Sequence, residues 1–292
     1  MPRALLTLTV IMWGWTFVAT KVLVEELGPV EILALRLAIG LPVLGGIVLA
    51  KRVPLRFTRA DRWPLALGGG VFAVHVLIQA VALTLTTATN TGWIIAVTPL
   101  VLVVLSYLVL GERIRRGALA GIGVATLGIL LLVSRGRLAT LAWTGATGDW
   151  LVLVSAFTWA CYTVVTRDIA RRRDPLAVTL GVLLVAAIAS GAVATVMADF
   201  SQIRSLSPQG LAALLYLAIP GQALGQWFWQ EGVARLGASR AGVFLYLEPL
   251  ATVALAVPLL GERLGVASLP GGGLVLAGVY VAQRGAALSE AS

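Results

Sequence analysis

Two apolar segments each carry one face that combines aromatic rings with hydroxyl groups. The first face consists of Trp13, Thr16, Phe17 and Thr20. The second consists of Trp159, Tyr162, Thr163 and Thr166. The spacing in each set is that of side chains on one side of an α-helix. Rings bind apolar groups or cations and hydroxyls satisfy polar groups, so the two faces could line one cavity. Packing between helices is the alternative, but both tryptophans fall too deep in their segments for an interfacial belt.

Polar side chains also occur within two other apolar segments. His75 and Gln79 are one helical turn apart. A similar stripe consists of Gln222, Gln226, Trp229 and Gln230. Polar groups at that depth need a partner and rarely face lipid, so they could bind a small molecule or hydrogen-bond neighbouring helices. His75 is the only histidine, and its side chain titrates near neutral pH, which makes it a candidate for coupling to protons.

Glu248 is an acid inside an apolar segment, directly before Pro249. Proline removes a backbone hydrogen bond and loosens a helix at this point. A carboxylate in the middle of a membrane costs about 2.5–3.5 kcal/mol on insertion scales, so it should be neutralised, paired or in contact with water. A cavity acid, a proton site and a structural pair with Arg36 or Lys21 all remain open.

The composition is typical of a membrane protein. Of the 292 residues, 59% are hydrophobic and 12% are charged, and the mean hydropathy is +0.95. Soluble domains carry about 25% charged residues, so this chain has too few to cover a surface in water. The net charge of +9 does not indicate nucleic-acid binding, because Lys and Arg fall mostly in short gaps between apolar runs. A single cysteine, Cys161, and a single histidine exclude an intrachain disulfide and a Cys/His zinc site, and we expect neither a metal nor a cofactor.

Hydropathy predicts an all-α membrane protein with ten transmembrane helices joined by short loops. The predicted spans are 4–24, 29–50, 64–84, 88–109, 116–133, 149–167, 175–197, 210–230, 238–260 and 265–283. Most basic residues lie in the loops that share a side with the N-terminus: Arg3, Lys51, Arg52, Arg56, Arg59, Arg62, Arg113, Arg115, Arg116, Arg167, Arg171, Arg172, Arg173, Arg235, Arg240 and Arg284. The opposite loops contain Arg135, Arg137, Arg204 and Arg263. Cytoplasmic loops carry the excess of basic residues, so both termini are predicted to be cytoplasmic.

One passage of the chain occurs twice. Gly92, Pro99, Gly111 and Glu112 return 150 positions later as Gly242, Pro249, Gly261 and Glu262. This self-similarity predicts a duplicated unit, with five helices in residues 1–140 and five in residues 146–284. Because five is odd, the halves enter the membrane in opposite directions and enclose a cavity that can open to either side. Pro99 and Pro249 are the predicted hinges, and Glu112 and Glu262 are expected to cap helices or pair with loop arginines.

These features resemble the drug/metabolite transporter superfamily, specifically its EamA family. The resemblance covers essentially the whole chain and rests on Trp13-Gly14, Leu35-Arg36, Pro99…Gly111-Glu112 and Glu248-Pro249…Gly261-Glu262. It implies two inverted five-helix repeats that move small molecules by alternating access across the bacterial inner membrane.

Within that family the chain is similar to the bacterial aromatic amino acid exporters. Trp13, His75 and Trp159 match the cavity pattern of these exporters. Further aromatic positions of the pattern are occupied here by Ile78, Ile95 and Val97, which implies a broader range of amino acids. The patterns and the resemblance together predict a substrate site formed by Trp13, Phe17, His75, Gln79, Trp159, Tyr162, Gln226, Trp229 and Glu248.

The leading interpretation is an exporter of amino acids, aromatic and other, and the alternative is efflux of drugs or cationic compounds. A transporter of phosphorylated substrates would need basic residues in its cavity, and Lys21 and Arg36 are the only basic residues not assigned to loops that could supply them. An enzyme would need paired carboxylates, a histidine cluster or a Ser/His arrangement, so we predict no catalysis. A non-transporting receptor or assembly subunit is harder to exclude. The expected partners are a small-molecule substrate and membrane lipid, not nucleic acid, and we expect a functional monomer.

Overall fold

The part of the chain that the structure describes is built from helices. This computed structural model describes residues 2–110, 116–133, 136 and 146–287. The α-helices are α1 (Pro2–Leu23), α2 (Pro29–Ala50), α3 (Arg59–Leu85), α4 (Ala88–Ile95), α5 (Thr98–Leu110), α6 (Arg116–Val133), α7 (Thr147–Arg172), α8 (Pro175–Met197), α9 (Pro208–Tyr216), α10 (Gly225–Leu236), α11 (Ala238–Gly242), α12 (Glu248–Leu260) and α13 (Ser268–Ala287). Short 3₁₀ turns occur at Phe200–Ser205 and Val243–Leu247, and a π-helical segment at Leu217–Leu224 joins α9 to α10. Gly111, Glu112, Arg113, Arg115, Arg135 and Arg137 lie outside the described residues.

Helices long and apolar enough to cross a membrane occur in both halves of the chain. Within the described residues there are seven: Pro2–Leu23, Pro29–Ala50, Arg59–Leu85, Ala88–Val109, Thr147–Arg172, Pro175–Met197 and Pro208–Leu236. Shorter apolar helices at Gly123–Leu132, Phe244–Leu260 and Ser268–Gly278 fall within the three remaining predicted spans. The protein is therefore a multi-pass membrane protein, and the count of ten spans remains a prediction.

Two of the predicted spans are divided rather than continuous. Span 88–109 consists of α4 and α5, and span 238–260 consists of α11, the 3₁₀ turn and α12. Pro99 and Pro249 are the second residues of α5 and α12. The N–H groups in the first turn of a helix have no carbonyl partner within the helix, so a proline there costs no helical hydrogen bond. The carbonyl of Ile95, four residues before Pro99, accepts a hydrogen bond from Thr98 Oγ1 at 2.6 Å instead. The Thr98 side chain thus provides a hydrogen-bond donor for a backbone carbonyl at the break between α4 and α5.

Helices of the two halves pack in reciprocal pairs. Helix α1 packs against α10 and α12, while α7 packs against α3 and α5. Gly92 on α4 contacts Thr252, and its counterpart Gly242 contacts Leu102, the counterpart of Thr252. A Cβ added at Gly92 would lie 2.9 Å from Thr252 Cβ, and one added at Gly242 would lie 3.6 Å from Leu102 Cδ1. A two-fold relation between similar units produces reciprocal contacts of this kind.

Charged side chains hold helix ends at the end of the bundle where α1 terminates. Lys21 Nζ donates to the carbonyls of Leu83 and Thr86, at 2.8 and 2.9 Å, and so caps the last turn of α3. Glu262 accepts hydrogen bonds from the first two amides of α4, at 2.8 Å each. The capping role predicted for Glu262 is therefore confirmed, and it acts on the other half of the chain.

One carboxylate near each end of the bundle joins the two halves. Asp61, in the first turn of α3, accepts a hydrogen bond of 2.9 Å from the Nε of Arg173, the residue directly after α7, and forms an ion pair with its Nη2 at 2.7 Å. At the opposite end Glu26 accepts hydrogen bonds from the Oγ and amide of Ser207, at 2.6 and 2.7 Å, directly before α9. These two hydrogen bonds from Ser207 hold the pKa of Glu26 below its ordinary value of 4.5.

Candidate functional site

A small cavity lies between the two halves of the bundle. Its volume is about 40 Å³, enough for a few water molecules but not for an aromatic amino acid. The predicted site residues that line it are Trp13, Phe17, His75, Gln79, Trp159, Gln226 and Glu248. They come from α1, α3, α7, α10 and α12, so the fold brings together residues from distant parts of the sequence.

Residues at equivalent positions of the two repeats lie across the cavity from each other. The lining includes the equivalent pairs Trp13 and Trp159, Ile95 and Leu245, Thr98 and Glu248, and Val76 and Gln226. The indole rings of Trp13 and Trp159 contact each other directly, with centroids 4.9 Å apart and planes at 83°. The cavity therefore lies where the two repeats meet.

Trp13 and Trp159 have different surroundings although they are equivalent. Trp159 packs on the His75 imidazole at 5.2 Å. The position equivalent to His75 is Gly225, where an added Cβ would lie 2.7 Å from Trp13 Nε1. Because Gly225 lacks a side chain, the Trp13 indole can approach α10 and donate a hydrogen bond to the carbonyl of Gly221 at 2.9 Å. That carbonyl belongs to the π-helical segment, a feature often found at functional sites.

Tyr162 and Trp229 were predicted to bind substrate, but neither is among the residues that line the cavity. Both are almost completely buried behind the lining residues. Trp229 packs on Trp13 and Trp159 at 5.2 and 6.0 Å, and Tyr162 packs on Trp159 at 5.0 Å and on Phe72 at 5.4 Å. Helical periodicity places these side chains on the correct faces but cannot distinguish the first layer of a wall from the second.

His75 is held in one orientation by a backbone carbonyl. Its Nδ1 lies 2.9 Å from the carbonyl oxygen of Ser155 on α7. A carbonyl can only accept, so Nδ1 carries the proton and Nε2 is the nitrogen left for other partners. The side chain is 6% exposed and forms part of the cavity wall. One ring nitrogen of His75 therefore has a structural hydrogen-bond partner, and the ring also faces the cavity.

The glutamines of the stripe on α10 and the π-helical segment have distinct environments. Gln230 Nε2 donates to Tyr162 OH at 2.7 Å and to Thr166 Oγ1 at 3.2 Å, and so joins α10 to α7. Gln226 reaches the cavity, and its Oε1 accepts a long hydrogen bond of 3.4 Å from Tyr162 OH. Gln222 is completely buried, and neither its Nε2 nor its Oε1 has a hydrogen-bond partner among the described residues. Gln79 on α3 is half-buried at the cavity wall.

Arg36 also lines the cavity, although the predicted site did not include it. Its position in an apolar span was the available signal, because charged residues inside a membrane generally face a ligand pathway. Within the described residues, Glu248 makes no ion pair with Arg36 or with Lys21, whose ammonium is held by carbonyls of α3 and the residue after it. Among these same residues, no group of three or more His, Cys, Asp or Glu side chains is placed to hold a metal ion.

Several membrane-crossing helices with a buried, aromatic-lined cavity between similar halves form the architecture of a membrane transporter. The sequence model of the EamA-like transporter family matches residues 3–134 and again residues 146–283. The chain therefore belongs to this family, within the drug/metabolite transporter superfamily. Its members are transporters rather than enzymes, with small-molecule substrates and a lipid environment.

Individual relatives match over nearly their whole length. A protein of Archaeoglobus fulgidus named an uncharacterized transporter is 32% identical over 95% of each chain. A protein of Salmonella typhimurium named a probable amino-acid metabolite efflux pump is 28% identical over 94% of this chain and 92% of its own. A crystal structure with 24% sequence identity has the same fold, with a TM-score of 0.71 over 96% of each chain.

Proposed function

We propose that the protein exports amino acids, aromatic ones among others, by alternating access. The observation that carries this proposal is the cavity wall formed by Trp13, Trp159 and His75, with Gln79 and Gln226 beside them. Indole rings bind apolar side chains, and the amides and imidazole offer hydrogen bonds to a polar backbone. The Salmonella relative, named an amino-acid metabolite efflux pump, supports the same class of substrate.

The proposed architecture is ten transmembrane helices in two inverted five-helix repeats, residues 1–140 and 146–284. Three findings support it: the reciprocal glycine contacts, the equivalent residues that meet across the cavity, and the three shorter apolar helices within the remaining predicted spans. An odd number of helices in each repeat inverts the second relative to the first. The proposed location is the bacterial inner membrane, with both termini in the cytoplasm according to the distribution of basic residues. We propose that the monomer is the functional unit.

Transport requires the two halves to move apart, because the cavity cannot hold an amino acid in its present size. The proposed hinges are Pro99 and Pro249, which lie next to the breaks in the two divided spans. Asp61 and Glu26 would release their partners in turn, since each joins the halves near one end of the bundle.

Efflux of drugs or cationic compounds is the second candidate. Glu248 favours it, because a buried carboxylate beside indole rings suits a cation. Arg36 opposes it, because a fixed positive charge in the same cavity repels a cationic substrate.

Purified protein in liposomes tests the proposal with a panel of labelled compounds, with and without a pH gradient. We expect flux of phenylalanine, tryptophan, threonine or methionine, above that of liposomes without protein. Flux of a phosphate ester or a quaternary ammonium compound in the absence of any amino acid flux would contradict the proposal.

A further inference from the structure

An arginine and a glutamate, side chains of opposite formal charge, line the central cavity. Arg36 on α2 is 7% exposed, and Glu248 at the start of α12 is 5% exposed. Among the described residues neither side chain makes a hydrogen bond or an ion pair, and the Arg36 Nε is out of contact with solvent. A buried charge is costly when it is unpaired, and inside a membrane it usually marks a ligand site.

We propose that Arg36 and Glu248 bind the two charges of a zwitterionic α-amino acid. The Arg36 guanidinium binds the carboxylate, for which its planar set of donors is suited, and the Glu248 carboxylate binds the ammonium group. The inference rests on the proposed export of amino acids and specifies the part of the substrate that all amino acids share.

A second polar side chain without a partner among the described residues lies against α2, one turn after Arg36. Gln222 is completely buried in the π-helical segment, and within the part of the chain that the structure describes its amide nitrogen and oxygen have no hydrogen-bond partner. Gly40, one turn after Arg36, packs against this segment, because an added Cβ would lie 2.7 Å from the Ala218 carbonyl and 3.7 Å from Gln222 Nε2. The Gln222 amide therefore lies against α2 one turn after Arg36, although it is not among the residues that line the cavity.

The surroundings of Glu248 suit an ammonium group. Helix α1 packs tightly against α12 at this point, because a Cβ added at Gly14 would lie 2.7 Å from the Glu248 carbonyl. The indole of Trp13, the residue before Gly14, lines the same cavity. Indole faces attract cations, so the wall near Glu248 stabilises the positive end of the substrate.

The pair of charges also rejects substrates of other classes. A zwitterion gives each side chain one partner of opposite sign, whereas a monovalent cation leaves Arg36 unpaired and an organic anion leaves Glu248 unpaired. A buried charge that has lost its water and found no partner costs more free energy than the absence of one favourable contact. The site therefore discriminates against monovalent cations and against organic anions. Repeat symmetry does not require this arrangement, since the counterpart of Glu248 is Thr98.

Competition against a labelled amino acid substrate in proteoliposomes tests the subsite. The competitors are phenylalanine, phenethylamine, which lacks the carboxylate, and 3-phenylpropionate, which lacks the ammonium. Wild-type protein should prefer phenylalanine to each analogue by about tenfold or more, the value of one charge-assisted hydrogen bond. Arg36→Gln should lose the preference over phenethylamine alone, and Glu248→Gln the preference over 3-phenylpropionate alone. Arg36→Lys should restore part of the first preference.

Exposed residues provide matched controls, with Arg171→Gln for the arginine and Glu25→Gln for the glutamate. Thermal unfolding of each variant in detergent identifies any that fail to fold. If Arg36→Gln does not fold, the wild-type preferences and Glu248→Gln still decide the result. Two results would overturn the subsite and leave the proposed export of amino acids standing. In the first, the wild-type protein carries amino acids but shows no preference over the analogues. In the second, both variants keep the preferences of the wild-type protein. Absence of amino acid binding and flux in the wild-type protein would overturn the subsite and the proposed function together.

Discussion

Trp13 and Trp159 occupy equivalent positions in the two repeats and contact each other edge to face, with ring centroids 4.9 Å apart. Residues at equivalent positions of two similar units can contact each other where the units meet. The pair therefore lies where the two halves of the chain meet, and both rings line the cavity there. Any movement of one half against the other must change this contact.

Replacing either central tryptophan should impair transport. Trp13→Ala removes the hydrogen bond to the Gly221 carbonyl and the contacts with Trp159 and Trp229, so we expect export to fall at least about tenfold. Initial rates of amino acid flux in proteoliposomes, normalised to the amount of reconstituted protein, measure the effect. Trp63→Ala is the matched control, because that side chain is 73% exposed. Equal rates for Trp13→Ala and the control would remove Trp13 from the site.

His75 offers a second test of the site. Its Nδ1–H is held by the Ser155 carbonyl, so His75→Ala leaves that buried carbonyl without its donor and removes the ring beside Trp159. We expect reduced flux for His75→Ala with unchanged membrane abundance, measured by immunoblot of the membrane fraction. His75→Gln can still donate to the carbonyl but cannot bind a proton, so it separates the two roles. Flux that depends on a pH gradient in the wild-type protein but not in His75→Gln would identify a coupling role, and the same dependence in both would exclude it.

The predicted site contains seven of the fourteen residues that line the cavity, and two independent patterns agreed at the central tryptophans. Helical spacing placed Trp13 and Phe17 on one face, and the duplication placed Trp159 on the equivalent face. The predicted site left out other residues that line the cavity, among them Arg36, Phe72 and Leu245. Arg36 was named only as a basic residue that could lie there, because the direction of its side chain depends on how α2 packs. Spacing within one helix fixes which side chains share a face, whereas the layer that each one occupies depends on neighbouring helices.

The divided helices show a similar limit. Pro249 predicted a loosened helix, but the 3₁₀ turn before it depends on contacts that no local pattern reports. Likewise, the capping tendency of Glu262 was readable from its place beside Gly261, while its partner, the start of α4, lies 174 residues away. Short-range propensity specified the role of the residue, and tertiary packing specified its partner.

Gly14 should be required for the contact between α1 and α12. A Cβ at this position would lie 2.7 Å from the Glu248 carbonyl and 2.8 Å from Ala251 Cβ, so Gly14→Ala forces the helices apart. We expect a loss of about 1–3 kcal/mol in unfolding free energy, the usual effect of overpacking. Gly45→Ala on α2 is the control, because an added Cβ has no atom within 4 Å there, and it should be neutral or stabilising. Denaturation monitored by tryptophan fluorescence compares them, and equal stability would show that α12 can shift without loss.

The hinge prolines can be tested through the breaks that they maintain. Pro249→Ala restores an N–H four residues after Leu245, which allows α12 to extend toward α11 and stiffen the divided span. We expect slower transport with unchanged or increased thermal stability. Pro258→Ala, in the same helix but away from the break, is the control and should have a smaller effect on the rate. A faster rate for Pro249→Ala than for wild type would contradict the hinge assignment.

Glu26 provides a prediction about pH. Its pKa is lowered in the folded state by the two hydrogen bonds from Ser207, so the stabilisation is complete above pH 4.5 and is lost as the pH falls through the lowered value. Glu26→Gln should therefore unfold at a lower temperature than wild type at pH 7, by a difference that stays constant between pH 6 and 8. The difference should shrink below pH 4.5, where the carboxylate of the unfolded chain becomes protonated while that of the folded protein is still ionised, and it should be smallest below the lowered pKa of the folded protein. Glu25→Gln, at the exposed neighbouring position, should show no difference at either pH. A difference between Glu26→Gln and wild type that grows on acidification would mean that Glu26 does not hold Ser207 through its charged form.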